Sequence, residues 1–85
     1  MSVMGTEKTV RDGFLATVEQ QIASGDPPEV RATRDRLCAL GLSEGEAAQM
    51  VALVLRNEMK QMISESRSFD NARFSQLLDK LPALP

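Results

Sequence analysis

Apolar residues recur at helical spacing along four stretches of the chain, and short polar turns separate these stretches. The first stretch predicts a helix over residues 6–23. It ends at Ser24 and Gly25, because glycine readily takes the left-handed conformation that terminates helices. Its apolar stripe repeats every four residues and consists of Val10, Phe14, Val18 and Ile22.

Residues 26–29 read Asp-Pro-Pro-Glu, which is a typical helix start. Asp26 is the candidate N-cap, and Pro27 is expected at a position where its missing N–H does no harm. Glu29 is expected at the third helical position. The predicted second helix runs to about Leu40 and ends at Gly41. Its expected buried edge consists of Val30, Leu37 and Leu40.

Residues 43–46 read Ser-Glu-Gly-Glu and predict a capping box between Ser43 and Glu46. The helix that follows, over residues 44–64, is the longest in the chain. Its middle turns are apolar on almost every side, which predicts a helix that is central to its fold or covered by a second chain. The apolar face consists of Ala47, Val51, Val54, Leu55, Met59 and Met62, widened by Met50, Leu53 and Ile63.

A short last helix is predicted over residues 71–80, with Asp70 as its cap and Pro82 as its stop. No stretch alternates in the manner of a strand. The chain is therefore predicted to be a single all-α domain over residues 1–85, built as a small four-helix bundle with short connections and a central third helix. Residues 1–5 are expected to be disordered and residues 82–85 to form an extended tail.

Composition removes several classes of function. The chain has 85 residues, a net charge of −2, no histidine and one cysteine, Cys38. A zinc finger, a histidine-based triad and a disulfide within the chain are thereby excluded. The longest apolar run, over residues 50–55, is far shorter than the roughly 20 residues that span a bilayer. No signal peptide is visible, so we predict a cytoplasmic protein with no membrane partner.

Three glutamates, Glu19, Glu46 and Glu58, are the strongest candidates for chemistry. Helical bundles can hold iron or manganese with inward glutamates, but they combine them with a Glu-x-x-His motif that this chain cannot form. In the simpler interpretation, Glu46 only caps its helix, and Glu58 faces solvent or pairs with Lys60 or Arg56. The simpler interpretation is favoured, so no metal site and no cofactor are predicted.

Other polar residues also favour structural roles. Cys38 has no histidine to activate it and is predicted to be a small buried apolar residue, so no catalytic residue is proposed. Arg31, Arg34 and Arg36 form a basic stripe, and the short turn after them suits a helix-turn-helix. The third helix is too apolar to be a recognition helix, and no nucleic acid is predicted as a partner.

The third helix is rich in methionine, whose flexible side chain suits irregular cores and adaptable binding surfaces. A short chain with so broad an apolar face is expected to leave part of it exposed, and such patches usually mark interfaces. A two-fold homodimer is the commonest closed arrangement. The candidate interface residues are Met50, Leu53, Val54, Met59 and Met62.

Three stretches of the sequence are shared with a known pattern. They are residues 18–30 (Val-Glu-Gln-Gln-Ile-Ala-Ser-Gly-Asp-Pro-Pro-Glu-Val), residues 40–47 around Leu-Gly-Leu-Ser and Glu-Ala, and residues 69–82 with Phe-Asp, Arg-Phe and Leu-Pro. Together they resemble small bacterial all-helical proteins of unknown function. Their pattern is a Glu-x-Gln helix, an Asp-Pro-Pro turn, a short helix, and a long helix that opens with His-Glu-Ala-x-His.

The resemblance implies a fold without an activity. The histidines of the related pattern recur at one-turn spacing on the first and third helices. Here the third-helix positions are Gly45 and Gln49, and the first-helix positions fall near Arg11 and Leu15. Glu19 and Glu46 are present, but a site of two histidines with a glutamate between them is missing.

The leading hypothesis is a non-enzymatic helical protein that acts by protein–protein interaction, most simply as a homodimer. The first alternative is a metal-binding or enzymatic carboxylate bundle that uses Glu19, Glu46 and Glu58. The second is a nucleic-acid binder of the helix-turn-helix type. Under the leading hypothesis, Leu53→Glu should dissociate or unfold the protein.

Overall fold

The computed structural model describes the backbone of residues 2–84 and the side chains of residues 13–84. Over residues 2–84 the chain forms four helices and no strand: α1 (Ser2–Ser24), α2 (Pro28–Ala39), α3 (Glu44–Ser64) and α4 (Asn71–Lys80). Helix α3 packs against each of the other three helices. The predicted all-α bundle with a central third helix is thus confirmed.

Helices α3 and α4 begin where their side-chain caps predict. The Ser43 N–H donates to Glu46 Oε1 at 2.9 Å, and the Glu46 N–H donates to Ser43 Oγ at 3.1 Å, which completes the capping box. At the start of α4, the Arg73 N–H donates to Asp70 Oδ1 at 3.0 Å. Each cap satisfies backbone donors that have no partner inside the helix.

The start of α2 differs from its prediction. The N-cap residue is Pro27, which makes no side-chain capping bond, and Asp26 lies one position too early to act as the cap. Glu29 therefore occupies the second helical position and not the third. Because Pro28 has no N–H, the first turn of α2 has one donor fewer to satisfy.

Both ends of the chain have hydrogen-bonded backbone outside the predicted helices. Helix α1 begins at Ser2, so it includes residues 2–5, for which the sequence predicts disorder. After α4 the backbone turns at Leu81 and Pro82, and the Ala83 N–H donates to Lys80 O at 2.9 Å. The tail that was predicted to be extended thus begins with a hydrogen-bonded turn.

The core lies between α3 and the helices around it. Its fully buried side chains from α1, α2 and α4 include Val18, Val30, Leu37 and Leu78. Phe14 and Ile22 pack against this core as predicted, whereas the side chain of Val10 lies outside the described residues. Leu40 is 59% exposed and does not belong to the buried edge of α2. The core residues of α3 are Ala47, Ala48, Val51, Ala52, Val54 and Leu55.

Two arginines of α2 fasten the ends of other helices. Arg31 donates to the carbonyl oxygens of Ile22 and Ala23 at the end of α1, at 2.8 and 2.9 Å. Arg36 donates to those of Leu78 and Leu81 at the end of α4, both at 2.8 Å. A cation there satisfies orphan carbonyls and interacts favourably with the helix dipole.

Candidate functional site

Two large apolar side chains of α3 are exposed, Leu53 in the middle of the helix and Ile63, at 71%, in its last turn. Leu53 is 40% exposed, and it lines a shallow groove together with Arg56, Asn57, Lys60 and, from the C-terminal tail, Leu84. Leu84 is itself 54% exposed. The groove is therefore lined by two leucines and by three polar side chains of α3, of which Arg56 and Lys60 are basic.

The five residues predicted as an interface do not share one face of α3. Residues in a helix are offset by about 100° each, so Leu53 and Met62 point in opposite directions. Val54 is completely buried in the chain's own core and offers no surface to another chain in this conformation. Met50 and Met59 are half-buried against the core. Of the five, Leu53 is the most outward, with Met50 at its flank.

The three glutamates of the metal hypothesis do not come together. Glu19 and Glu46 are exposed, and Glu58 is completely buried. Among the described side chains, no group of three or more acidic or thiol residues is placed to hold a metal ion. Glu46 serves the capping box, and the hydrogen bond from the Ser43 N–H, helped by the Ser43 hydroxyl, lowers the pKa of its carboxyl.

Glu58 has a different role from either one that the sequence suggested. It neither faces solvent nor pairs with Lys60 or Arg56. Instead, its Oε2 accepts from Arg67 Nη1 at 2.7 Å and from the Asp70 N–H at 3.2 Å. Arg73 Nε lies 3.6 Å from Glu58 Oε1. The carboxylate thus joins α3 to both the connection before α4 and the first turn of α4.

The charge of this buried carboxylate is held by its partners. The Arg67 hydrogen bond lowers the pKa of Glu58, although burial opposes this by penalising the charged form; the Asp70 N–H and the charges of both guanidinium groups add to the lowering. In return, Glu58 and then Glu65 raise the pKa of Arg67. The cluster is a structural clasp, because it joins α3 to the connection before α4 and to the first turn of α4 through a completely buried carboxylate. Its outer members, Asp70 and Arg73, also line a groove on α4.

The clasp had a signal in the sequence. Val51, Leu55, Glu58 and Met62 follow the spacing of four, three and four residues that marks one helix face. That spacing places Glu58 among core residues, where a carboxylate needs cations. The distance of nine residues to Arg67 exceeds the helical pair spacing, so the partner itself could not be read from α3.

The remaining candidates for chemistry are also engaged within the chain. Arg31 and Arg36 hold helix ends, as described above. Arg34 pairs with Asp35 at 2.7 Å and with Glu44 at 3.1 Å, so the basic stripe of α2 serves contacts inside the protein. Cys38 is a free, half-buried thiol packed against the core.

Comparison of this chain with protein-family models, with curated proteins and with solved structures finds no match. In the described part of the chain, none of the helices combines the length and the apolar character needed to cross a bilayer.

Proposed function

We propose that this chain is a small non-enzymatic binding protein that acts by contacting another protein, most simply a second copy of itself. The observation that carries this proposal is Leu53, which is 40% exposed in the middle of the central helix. Leu84, which is 54% exposed, lines the same groove and adds a second apolar side chain to it. Contiguous exposed apolar surface on a small protein usually marks an interaction site.

The placement of the other reactive groups favours binding over catalysis. The carboxylate of Glu58 and the guanidinium groups of Arg31, Arg34 and Arg36 have partners within the chain. Catalysis needs groups that can reach a substrate in a shared cleft. The groove on α3 instead offers two leucines with a basic rim, which is the composition of a contact surface.

We also propose the cytoplasm as its compartment. Cys38 is a free thiol, and unpaired cysteines are typical of reducing environments. This proposal is independent of the binding surface.

The test is the molar mass of the purified protein by sedimentation equilibrium over a range of concentrations. We expect the wild type to be a dimer. Leu53→Glu should be a monomer that keeps its helical circular dichroism, because a charge replaces the apolar centre of the interface without entering the core. Leu40→Glu is the matched control, since Leu40 is another exposed leucine but lies at the end of α2, and this variant should stay a dimer.

A monomeric wild type would contradict self-association, and equal effects of both substitutions would contradict the assignment to α3. Metal analysis of the same samples separates the proposal from the carboxylate alternative. Stoichiometric iron, manganese or zinc in the wild type, lost in Glu58→Gln, would replace the binding proposal with a metal site.

A further inference from the structure

The outward face of α3 has a heptad spacing. Glu46, Met50, Leu53, Asn57 and Lys60 recur at alternating intervals of four and three residues. This spacing keeps residues on one side of a helix that packs along a second helix. All five are exposed or half-buried, so this row is open along most of the helix. We call these five residues the outer row.

The outer row has opposite charges at equal distances from Leu53. Glu46 lies seven residues before Leu53, and Lys60 lies seven residues after it. Met50 and Asn57, the uncharged members of the row, lie between these charges and Leu53. An antiparallel two-fold axis through Leu53 would therefore bring Glu46 of each copy close to the partner's Lys60.

We infer that two copies of α3 pack antiparallel, with Leu53 beside the partner's Leu53 on the two-fold axis and Glu46 facing the partner's Lys60. This inference rests on the proposed homodimer and adds its orientation and its contacts. The occupant of the groove is the partner's Leu53, seated between Leu53 and Leu84. By symmetry the contact between Glu46 and the partner's Lys60 occurs twice, whereas the Leu53 contact on the axis occurs once.

Charge complementarity selects this orientation. In a parallel pair Lys60 would meet the partner's Lys60, and Glu46 would meet the partner's Glu46, so like charges would repel at both ends. Glu46 can make the antiparallel contact and its capping bond together, because the capping bond uses Oε1 and the contact can use Oε2. Arg56 and Lys60 make no ion pair with the described residues, and both lie on the rim of the groove.

Cysteine cross-linking tests the orientation in a Cys38→Ala background, where an introduced cysteine is the only thiol. Leu53→Cys should give a disulfide-linked dimer under mild oxidation, because the axis brings the two copies of this residue together. Lys60→Cys alone should not, since antiparallel packing separates its two copies by about 21 Å along the helices. Mixing Gln49→Cys with Asn57→Cys should give a linked heterodimer in excess of either variant alone.

The outcomes are distinguishable by non-reducing electrophoresis and mass spectrometry. Efficient linkage of Lys60→Cys to itself would overturn the antiparallel orientation. If the wild type is a dimer by mass but none of the cysteine variants forms a linked dimer, the interface lies elsewhere. That result would overturn this inference and leave the proposed homodimer intact. A monomeric wild type would overturn both.

Charge substitution gives an independent test without thiols. Lys60→Glu should weaken the dimer about tenfold at low salt and less at high salt, because it sets Glu46 against a like charge at two symmetric positions. Adding Glu46→Gln, which preserves a capping side chain, should restore part of the affinity. If Lys60→Glu and the double variant Lys60→Glu/Glu46→Gln lost the same amount of dimer affinity, the contact between these two positions would be contradicted.

Discussion

At the residue scale, Glu58 is the most constrained polar side chain of the described structure. Its carboxylate is completely buried, and an unpaired buried charge would be very unfavourable. Arg67, Arg73 and the Asp70 N–H compensate it from the connection and the helix that follow α3. One side chain thus ties the position of α4 to the middle of the bundle.

Replacing this carboxylate tests the clasp. Glu58→Gln should lower the free energy of unfolding by about 1–3 kcal/mol near neutral pH, the usual cost of leaving buried polar groups without their partner. This loss of stability should be smaller than the loss on breaking a fully buried ion pair. The side chains of Arg67 and Arg73 are 25% and 42% exposed, so they can bind water when the carboxylate is removed. Denaturant unfolding followed by circular dichroism measures it.

The same variant makes a prediction about pH. The folded protein holds the pKa of Glu58 below its unfolded value, so this carboxylate stabilises the fold fully above the unfolded value of about 4.3. The stabilisation is lost as pH falls through the lower folded pKa. Wild-type stability should therefore decline in acid more steeply than that of Glu58→Gln. Glu19→Gln, which changes an exposed carboxylate, is the control; parallel acid profiles for all three would contradict the clasp.

At this scale the sequence indicates on which side of α3 Glu58 lies, but it does not indicate that Arg67 is its partner. Glu58 shares its face with Val51 and Leu55, so helix periodicity alone places it inward. Its partner Arg67 lies beyond the end of α3, where the chain reverses through Ser66 at a positive φ of 51°. Pairing across such a turn depends on a backbone path that residue spacing does not determine.

At the scale of the elements, α2 is the connector of the bundle. The guanidinium groups of Arg31 and Arg36 donate to the C-terminal carbonyls of α1 and α4. Both of these helices pack against α2. The Arg31 contact is close to Gly25, where φ is +74° and an added Cβ would lie 3.2 Å from the guanidinium carbon. Glycine there permits both the turn and the approach of Arg31.

Removing one of these clamps should loosen one helix end. Arg36→Met keeps the apolar stem but loses both hydrogen bonds to Leu78 and Leu81, so the last turn of α4 should fray. We expect faster amide hydrogen exchange in α4 and a loss of about 1–2 kcal/mol of stability. Arg56→Met is the control for the exchange of α4 amides, because Arg56 lies on the outer face of α3 away from helix ends. Unchanged α4 protection in Arg36→Met would show that the clamp is dispensable.

The accuracy of the predicted helix boundaries follows the chemistry of the caps. Ser43 and Asp70 bond to the helices that they start, and α3 and α4 begin where these caps predict. Helix α2 starts instead at a proline pair without a side-chain cap, so Asp26 was a wrong choice. A cap is a local interaction and can be read from neighbouring residues, whereas the arginine clamps join residues as far apart as Arg36 and Leu81.

At the scale of the whole molecule, α3 has two opposite sides with different tasks. One side supplies Val51, Leu55 and the buried Glu58 to the bundle, and the other presents Leu53 to solvent. From the sequence, the apolar residues of α3 were correctly expected to cover much of the helix, but they were grouped into a single face. The structure divides that face, because three helices pack around α3 and leave one side open.

A chain of 85 residues buries a limited share of its surface, so association should add noticeably to its stability. If the dimer forms through Leu53, unfolding is coupled to dissociation and the thermal midpoint rises with protein concentration. We expect a rise of several degrees in Tm for the wild type over a hundredfold increase in concentration, measured by circular dichroism or calorimetry. Leu53→Glu should melt at one temperature at every concentration, and below the wild type at the highest. A wild-type Tm that does not change with concentration would mean that the bundle is stable as a monomer, which would contradict the proposed homodimer.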